Sequence, residues 1–151
     1  MKKHFVRIAC RNSRKGNVLV EFSLMATLML VSTLGVVDFG RSFNLASAAA
    51  NAAAAGTQYA SLSPAHYSDL DGMKTAALAD LTNVTGASAT ATQTCRCEIG
   101  GTPVSCPANC SMGEAQTYVQ VEVSIPFTTV AQLPWMAKST NIKGKSVLRL
   151  Q

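Results

Sequence analysis

Charge is scarce in this chain of 151 residues: only 14% of the side chains are Asp, Glu, Lys or Arg, against 48% hydrophobic. A freely soluble domain of this length normally carries more charge on its surface, so part of the apolar content is expected to meet lipid. Histidine is almost missing, with His4 near the start and His66 in a loop beside Tyr67 and Asp69, and no nucleophile motif lies near either. That excludes the usual catalytic constellations, and no catalytic residue, metal ligand set or cofactor is assigned. Basic residues are also few past the first 16 positions. Lys2, Lys3, Arg7, Arg11, Arg14 and Lys15 are six of the 13 in the chain, which leaves seven against all eight acidic residues. Phosphate-backbone binding needs several cations gathered on one folded surface, so the net charge of +5 does not indicate a nucleic-acid partner.

The basic block is followed by an uncharged run, FSLMATLMLVSTLGVV, from Phe22 to Val37, bounded by Glu21 and Asp38. At about 1.5 Å per residue it covers about 24 Å, short of a hydrocarbon core of about 30 Å. Val18, Leu19 and Val20 complete the span, provided that Glu21 is tolerated within it. Short flanks rich in Lys and Arg stay cytoplasmic, which predicts a single pass with residues 1–16 inside and residues 41–151 outside. Beyond the run, SFNLASAAANAAAAGTQYA has high helix propensity and no proline before Pro64, so one helix is expected over residues 17–60. Its small residues Ala46, Ala49, Ala50 and Ala53 suit close approach by another helix.

Downstream, Gly72 to Leu81 has helical spacing of apolar residues, and Val119, Val121, Val123 and Ile125 alternate with Gln120, Glu122 and Ser124 as in a half-buried antiparallel strand. Ala87 to Thr94 and Lys145 to Leu150 are further strand candidates. The expected fold is α+β: a long N-terminal helix, then a small antiparallel sheet with a short helix. The organisation reads as a leader over 1–16, a transmembrane and extended helix over 17–60, and an extracytoplasmic domain over 61–151. Trp135, after Pro134, is expected as a core or sheet-edge anchor.

Cys95, Cys97, Cys106 and Cys110 cluster beyond the membrane segment, whereas Cys10 lies in the basic block. An oxidising compartment favours two disulfides over a zinc site, the spacing being unlike that of common zinc pairs. A hairpin turning at Gly100-Gly101 would oppose Cys95 to Cys106. A loop from Gly100 to Pro103 would oppose Cys97 to Cys106 and leave Cys95 for Cys110, and this second pairing is preferred because Pro103 cannot donate to a ladder. Asp38 and Arg41, three apart, are expected to pair on one helix face. The tripeptide Asp38-Phe39-Gly40 lacks every companion motif of a protein kinase.

The string Lys15-Gly16-Asn17-Val18-Leu19-Val20-Glu21-Phe22 resembles a prepilin-peptidase site of type IV pilins, and with Asp38-Phe39-Gly40-Arg41 the chain is similar to TadE-like minor pseudopilins of the tight-adherence (Flp) pilus. The resemblance implies cutting between Gly16 and Asn17 and an assembly role for Glu21 and Phe22. It implies as partners a prepilin peptidase, other pilin or pseudopilin subunits and an inner-membrane assembly platform. The implied place is the bacterial inner membrane, N-in and C-out, or an extracellular pilus after assembly. Independently, a helix puts Glu21 on the same face as an ammonium created at Asn17, which would lower the cost of a carboxylate in lipid. The alternatives are a plain membrane-anchored domain that keeps its first residues, and a secreted domain released in the alanine-rich region.

Overall fold

The computed structural model describes residues 14–97, 101–108, 110, 115–130 and 139–150, with side chains from residue 16 onward. Cys10, His4, Trp135 and most of the basic block lie outside the described residues. The expected helix is present as α1, Arg14–Ser61. The chain divides into two units at the Val37–Asp38 bond, Met1–Val37 and Asp38–Gln151.

In the first unit α1 is a bare apolar helix. Leu19, Phe22, Leu24, Met29 and Val36 are each about as exposed as an isolated helix allows, and Glu21 is exposed among them. The four hydroxyls of the apolar run are all turned inward onto their own helix. Ser23 donates to the carbonyl of Val20, Thr27 to that of Ser23, Ser32 to that of Leu28, and Thr33 to that of Met29. Every side-chain donor between Phe22 and Val37 therefore has a partner within the helix, which is the condition a segment must meet to enter hydrocarbon.

In the second unit the remainder of α1 and a short helix, α2 (Leu70–Ala79), cover one face of a three-stranded antiparallel sheet. Its strands are β1 (Ser88–Arg96), β2 (Gln116–Thr128) and β3 (Ser139–Leu150), in the order β1-β2-β3. The register runs from Ser88↔Ser124 to Arg96↔Gln116 and from Thr117↔Leu150 to Thr128↔Ser139. The period-two pattern of β2 is realised as expected, with Val119, Val121, Val123, Ile125 and Phe127 all buried. Burying side chains of this size contributes about 1.5–3 kcal/mol each.

Small residues on α1 meet this aliphatic face. Ala49, Ala52, Ala53 and Ala60 are fully buried beside Met73 and Ala77 of α2. The expectation that Ala46, Ala49, Ala50 and Ala53 admit another helix is corrected for Ala49 and Ala53, which are buried in the chain's own core, while Ala46 is half-buried and Ala50 exposed. The reason is visible at Gly144 of β3, where a Cβ would collide with the backbone of Ala49 and Ala50. Helix and strand backbones approach as closely as the absence of side chains allows. Two turns further on, Gly56 lies under Val121, and the hydroxyls of buried Thr57 and half-buried Ser146 share a hydrogen bond of 2.9 Å.

The joint between α1 and α2 is polar. Asp69 caps α2 by accepting the Gly72 N–H at 2.9 Å and also accepts the Tyr59 hydroxyl at 2.8 Å, while Tyr59 stacks on His66. The Gly72 N–H, more than the Tyr59 hydroxyl, holds the Asp69 carboxyl below the ordinary carboxylate range.

Two outcomes follow from this packing. Gly144→Ala should lower the stability of the detergent-solubilised chain by about 1–3 kcal/mol, because the atoms in its way are backbone; an unchanged thermal midpoint would contradict the close approach. Because the folded Asp69 pKa lies below its unfolded value of about 3.9, its bonds stabilise the fold above that value and are lost as pH falls through the folded pKa. Thermal stability of the wild type should therefore drop more steeply on acidification below about pH 4 than that of Asp69→Asn; equal pH profiles would remove the cap from the account.

Candidate functional site

Three regions carry the residues singled out in the sequence. The first is the start of α1. Gly16 has no heavy atom near the position of a missing Cβ, so nothing in the described chain needs a glycine there. Asn17 and Glu21 are four residues apart in continuous helix, on one face, and Glu21 makes no ion pair with a described residue. Glu21 and Phe22 are both open to the surroundings.

The second region is the helix turn Asp38–Arg41. As expected, the Arg41 guanidinium pairs with the Asp38 carboxylate, at 3.4 Å. The closer partner was not legible in the sequence: the backbone N–H of Val130, 92 positions away, donates to both carboxylate oxygens at 3.0 and 3.1 Å. With 6% of its surface exposed, Asp38 is one of two buried polar residues among those described. Arg41 in turn lies over the ring of Phe127, 5.5 Å from its centroid. Asp38 and Arg41 thus join α1 to the end of β2, a role for which three-residue spacing gave only half the explanation. Gly40 has open space around it, and Phe39 is exposed.

The contacts of Arg41 with Phe127 and of Gly56 with Val121 fix the direction of the sheet. From Arg41 to Gly56 the helix advances about 22 Å. Over the same stretch β2 passes from Phe127 to Val121, about 20 Å. α1 and β2 therefore run side by side in opposite directions, and the end of β2 is the part of the sheet nearest Asp38.

The third region is the cysteine cluster at the opposite end of the sheet, where Cys95 pairs with Thr117. All four cysteines are oxidised, but the preferred pairing is corrected: the disulfides are Cys95–Cys106 and Cys97–Cys110, each with a Cα–Cα distance of 5.3 Å. They are those of the Gly100-Gly101 alternative, although the pairing register differs from that too. Cys95 exchanges both backbone hydrogen bonds with Val104, at 2.9 and 2.8 Å. The returning segment therefore meets β1 at Val104. This brings Cys106 diagonally beside Cys95 and leaves Cys97, displaced toward the loop, for Cys110. Pro103 makes no backbone hydrogen bond with a described residue, and the register drawn from its missing N–H is not the one adopted. Closing loops of 11 and 13 residues, the two bonds each stabilise this end by about 3 kcal/mol.

The pairing is checked by peptide mapping without reduction. Trypsin cuts after Arg96, between Cys95 and Cys97, and elastase after Ala108, between Cys106 and Cys110. The Cys95 fragment and the Cys110 fragment should each be joined to the piece 97–108, which holds both Cys97 and Cys106; a Cys95 fragment joined directly to the Cys110 fragment, with 97–108 released as a separate closed peptide, would overturn the connectivity.

Comparison with known proteins bears on the first two regions. A family model described as TadE-like protein matches residues 16–58, a little under a third of the chain. No curated protein and no solved structure matches the chain. The matched segment, similar to TadE-like proteins, takes in Gly16, the apolar run, the Asp38–Arg41 turn and the alanines of α1.

Proposed function

We propose that this chain is a structural minor pilin or pseudopilin of a tight-adherence (Flp) pilus. It is cut by a prepilin peptidase between Gly16 and Asn17, held in the bacterial inner membrane N-in and C-out, and joined to other subunits through α1. Its work is assembly of a pilus for surface attachment. The observation that carries this reading is the TadE-like match over residues 16–58, which begins at the Gly16 of the proposed cut and stops three residues before the end of α1. A TadE-like segment supports a pilus-associated protein, and the exposed apolar helix gives it the means to sit in a membrane.

The chemistry of assembly centres on Glu21. Within lipid a lone carboxylate is costly, while one paired with an ammonium is much less so. After cutting, the new ammonium on Asn17 lies one helix turn from Glu21, in the same subunit, or faces the Glu21 of a neighbour. The charge pair then sets the register at which helices associate. In the described chain Glu21 has no ion-pair partner to compete for that role.

Two measurements test the reading. The mature protein from cells with an active prepilin peptidase should begin at Asn17, and a full-length chain there removes the pilin assignment. Glu21→Ala should insert into the membrane at normal abundance, yet surface pili should be lost. Normal piliation at equal protein level would leave the cut intact and end the assembly role of Glu21.

A further inference from the structure

The turn that follows the apolar run has its polarity reversed. Asp38, a carboxylate, is buried, while three apolar side chains around it face outward: Phe39 is 72% exposed, Phe43 66% and Val130 59%. Phe39 and Phe43 are four residues apart and share one face of α1. Val130 is held at the same level by its N–H, which reaches both oxygens of Asp38. In water such an arrangement leaves large apolar groups hydrated and desolvates a charge, and both are unfavourable.

At the edge of a bilayer the exposed apolar groups meet lipid, and the carboxylate keeps the hydrogen-bond partners that its place there requires. Counting from Val18, twenty residues reach Val37 and cover about 30 Å, the thickness of the hydrocarbon core. Asp38 then falls at its outer boundary, where an acid must be covered and hydrogen-bonded, and the Val130 N–H and Arg41 supply both needs. The turn from Asp38 to Phe43 occupies the next ~8 Å, the interfacial layer in which aromatic rings are enriched. Arg41, whose side chain is 47% exposed, can offer its free guanidinium edge to a lipid phosphate there.

We propose that the end of β2 at Val130, with Phe39 and Phe43, is a second membrane contact that rests in the phospholipid headgroup and glycerol layer of the bilayer crossed by α1. This rests on the reading of α1 as a membrane span. The occupant is lipid because the exposed Phe39 and Phe43 follow the apolar run directly along α1. The cysteine cluster lies away from this patch: Thr117, opposite Cys95, is ten residues along β2 from Phe127, or about 33 Å.

The test uses the full chain in phosphatidylcholine vesicles, with Trp135→Phe removing the native tryptophan and one reporter introduced at a time. The reporters are Val130→Trp, Phe39→Trp, Leu28→Trp within the span and Val147→Trp, an exposed valine of β3 opposite Gln120. Lipid brominated along its acyl chains should quench Leu28→Trp strongly and Val130→Trp and Phe39→Trp about twofold, leaving Val147→Trp unchanged. Adding Asp38→Ala should release Val130→Trp from the quencher while Leu28→Trp stays quenched. Val130→Trp as bright as Val147→Trp, beside a quenched Leu28→Trp, overturns the second contact and leaves the span standing. Blue-shifted but unquenched emission from Val130→Trp overturns it too, because protein and not lipid would then cover the patch. An unquenched Leu28→Trp removes the span itself. Fold is monitored in each variant by retention of both disulfides and, in the otherwise native chain with Trp135 in place, by slow amide exchange at Val130.

Discussion

The close approach between the backbone of α1 at Ala49 and that of β3 at Gly144 governs the packing of the domain. A sheet face of Val119, Val121, Val123 and Ile125 offers a continuous aliphatic surface, and only a helix with equally small side chains can lie flat on it without a gap. Ala49, Ala52, Ala53 and Gly56 provide that surface, so the large side chains of the core come almost entirely from β2 and from Met73 of α2. A helix-rich composition of alanine would otherwise stand in solvent with little to hold it to a domain. Here it is fixed by contact along about 22 Å from Arg41 to Gly56.

That contact is bracketed by polar fastenings that an apolar interface needs for a single register. At one end Asp38 binds the Val130 N–H and Arg41 covers Phe127; at the other Thr57 meets Ser146, and just past it Tyr59 and Asp69 tie α1 to α2. Alanine against valine could slide by a residue at small cost, since the surfaces are smooth, whereas each hydrogen bond is lost in any other register. Of the three, the Asp38 fastening has the most consequence, because it lies where the exposed apolar helix gives way to the packed one. Ahead of it α1 has only its own backbone to satisfy its hydroxyls; behind it the helix is part of a fold.

The disulfides answer a different need. The described residues between β1 and β2 include one bridge, Cys95↔Val104, and several exposed positions such as Val104 itself, so hydrophobic burial does little for this connection. Two covalent links limit the unfolded alternatives instead, at the end of the sheet remote from Asp38. The open face of the sheet needs no such device, since its Thr90, Thr92, Glu122 and Lys143 are at home in water and the last two pair at 2.8 Å.

Read alone, the sequence determined whatever depends on period, composition and order along the chain. The uncharged run, the unbroken helix beyond it, the alternation of β2, the oxidised cysteine cluster and the TadE-like succession from Gly16 to Arg41 were all legible, because each is local and each has a physical signature of its own. Only the tertiary structure decided where distant segments meet. The partner of Asp38 is a backbone N–H, which has no side chain to announce it and lies 92 residues away. The alanines of α1 carry the same signature whether they face a helix or a sheet, and Gly144 became informative only once the strand was seen against Ala49. Cysteine spacing left two pairings open, and the choice fell to Val104, whose two backbone bonds to Cys95 depend on a register set by a loop and not by side-chain pattern.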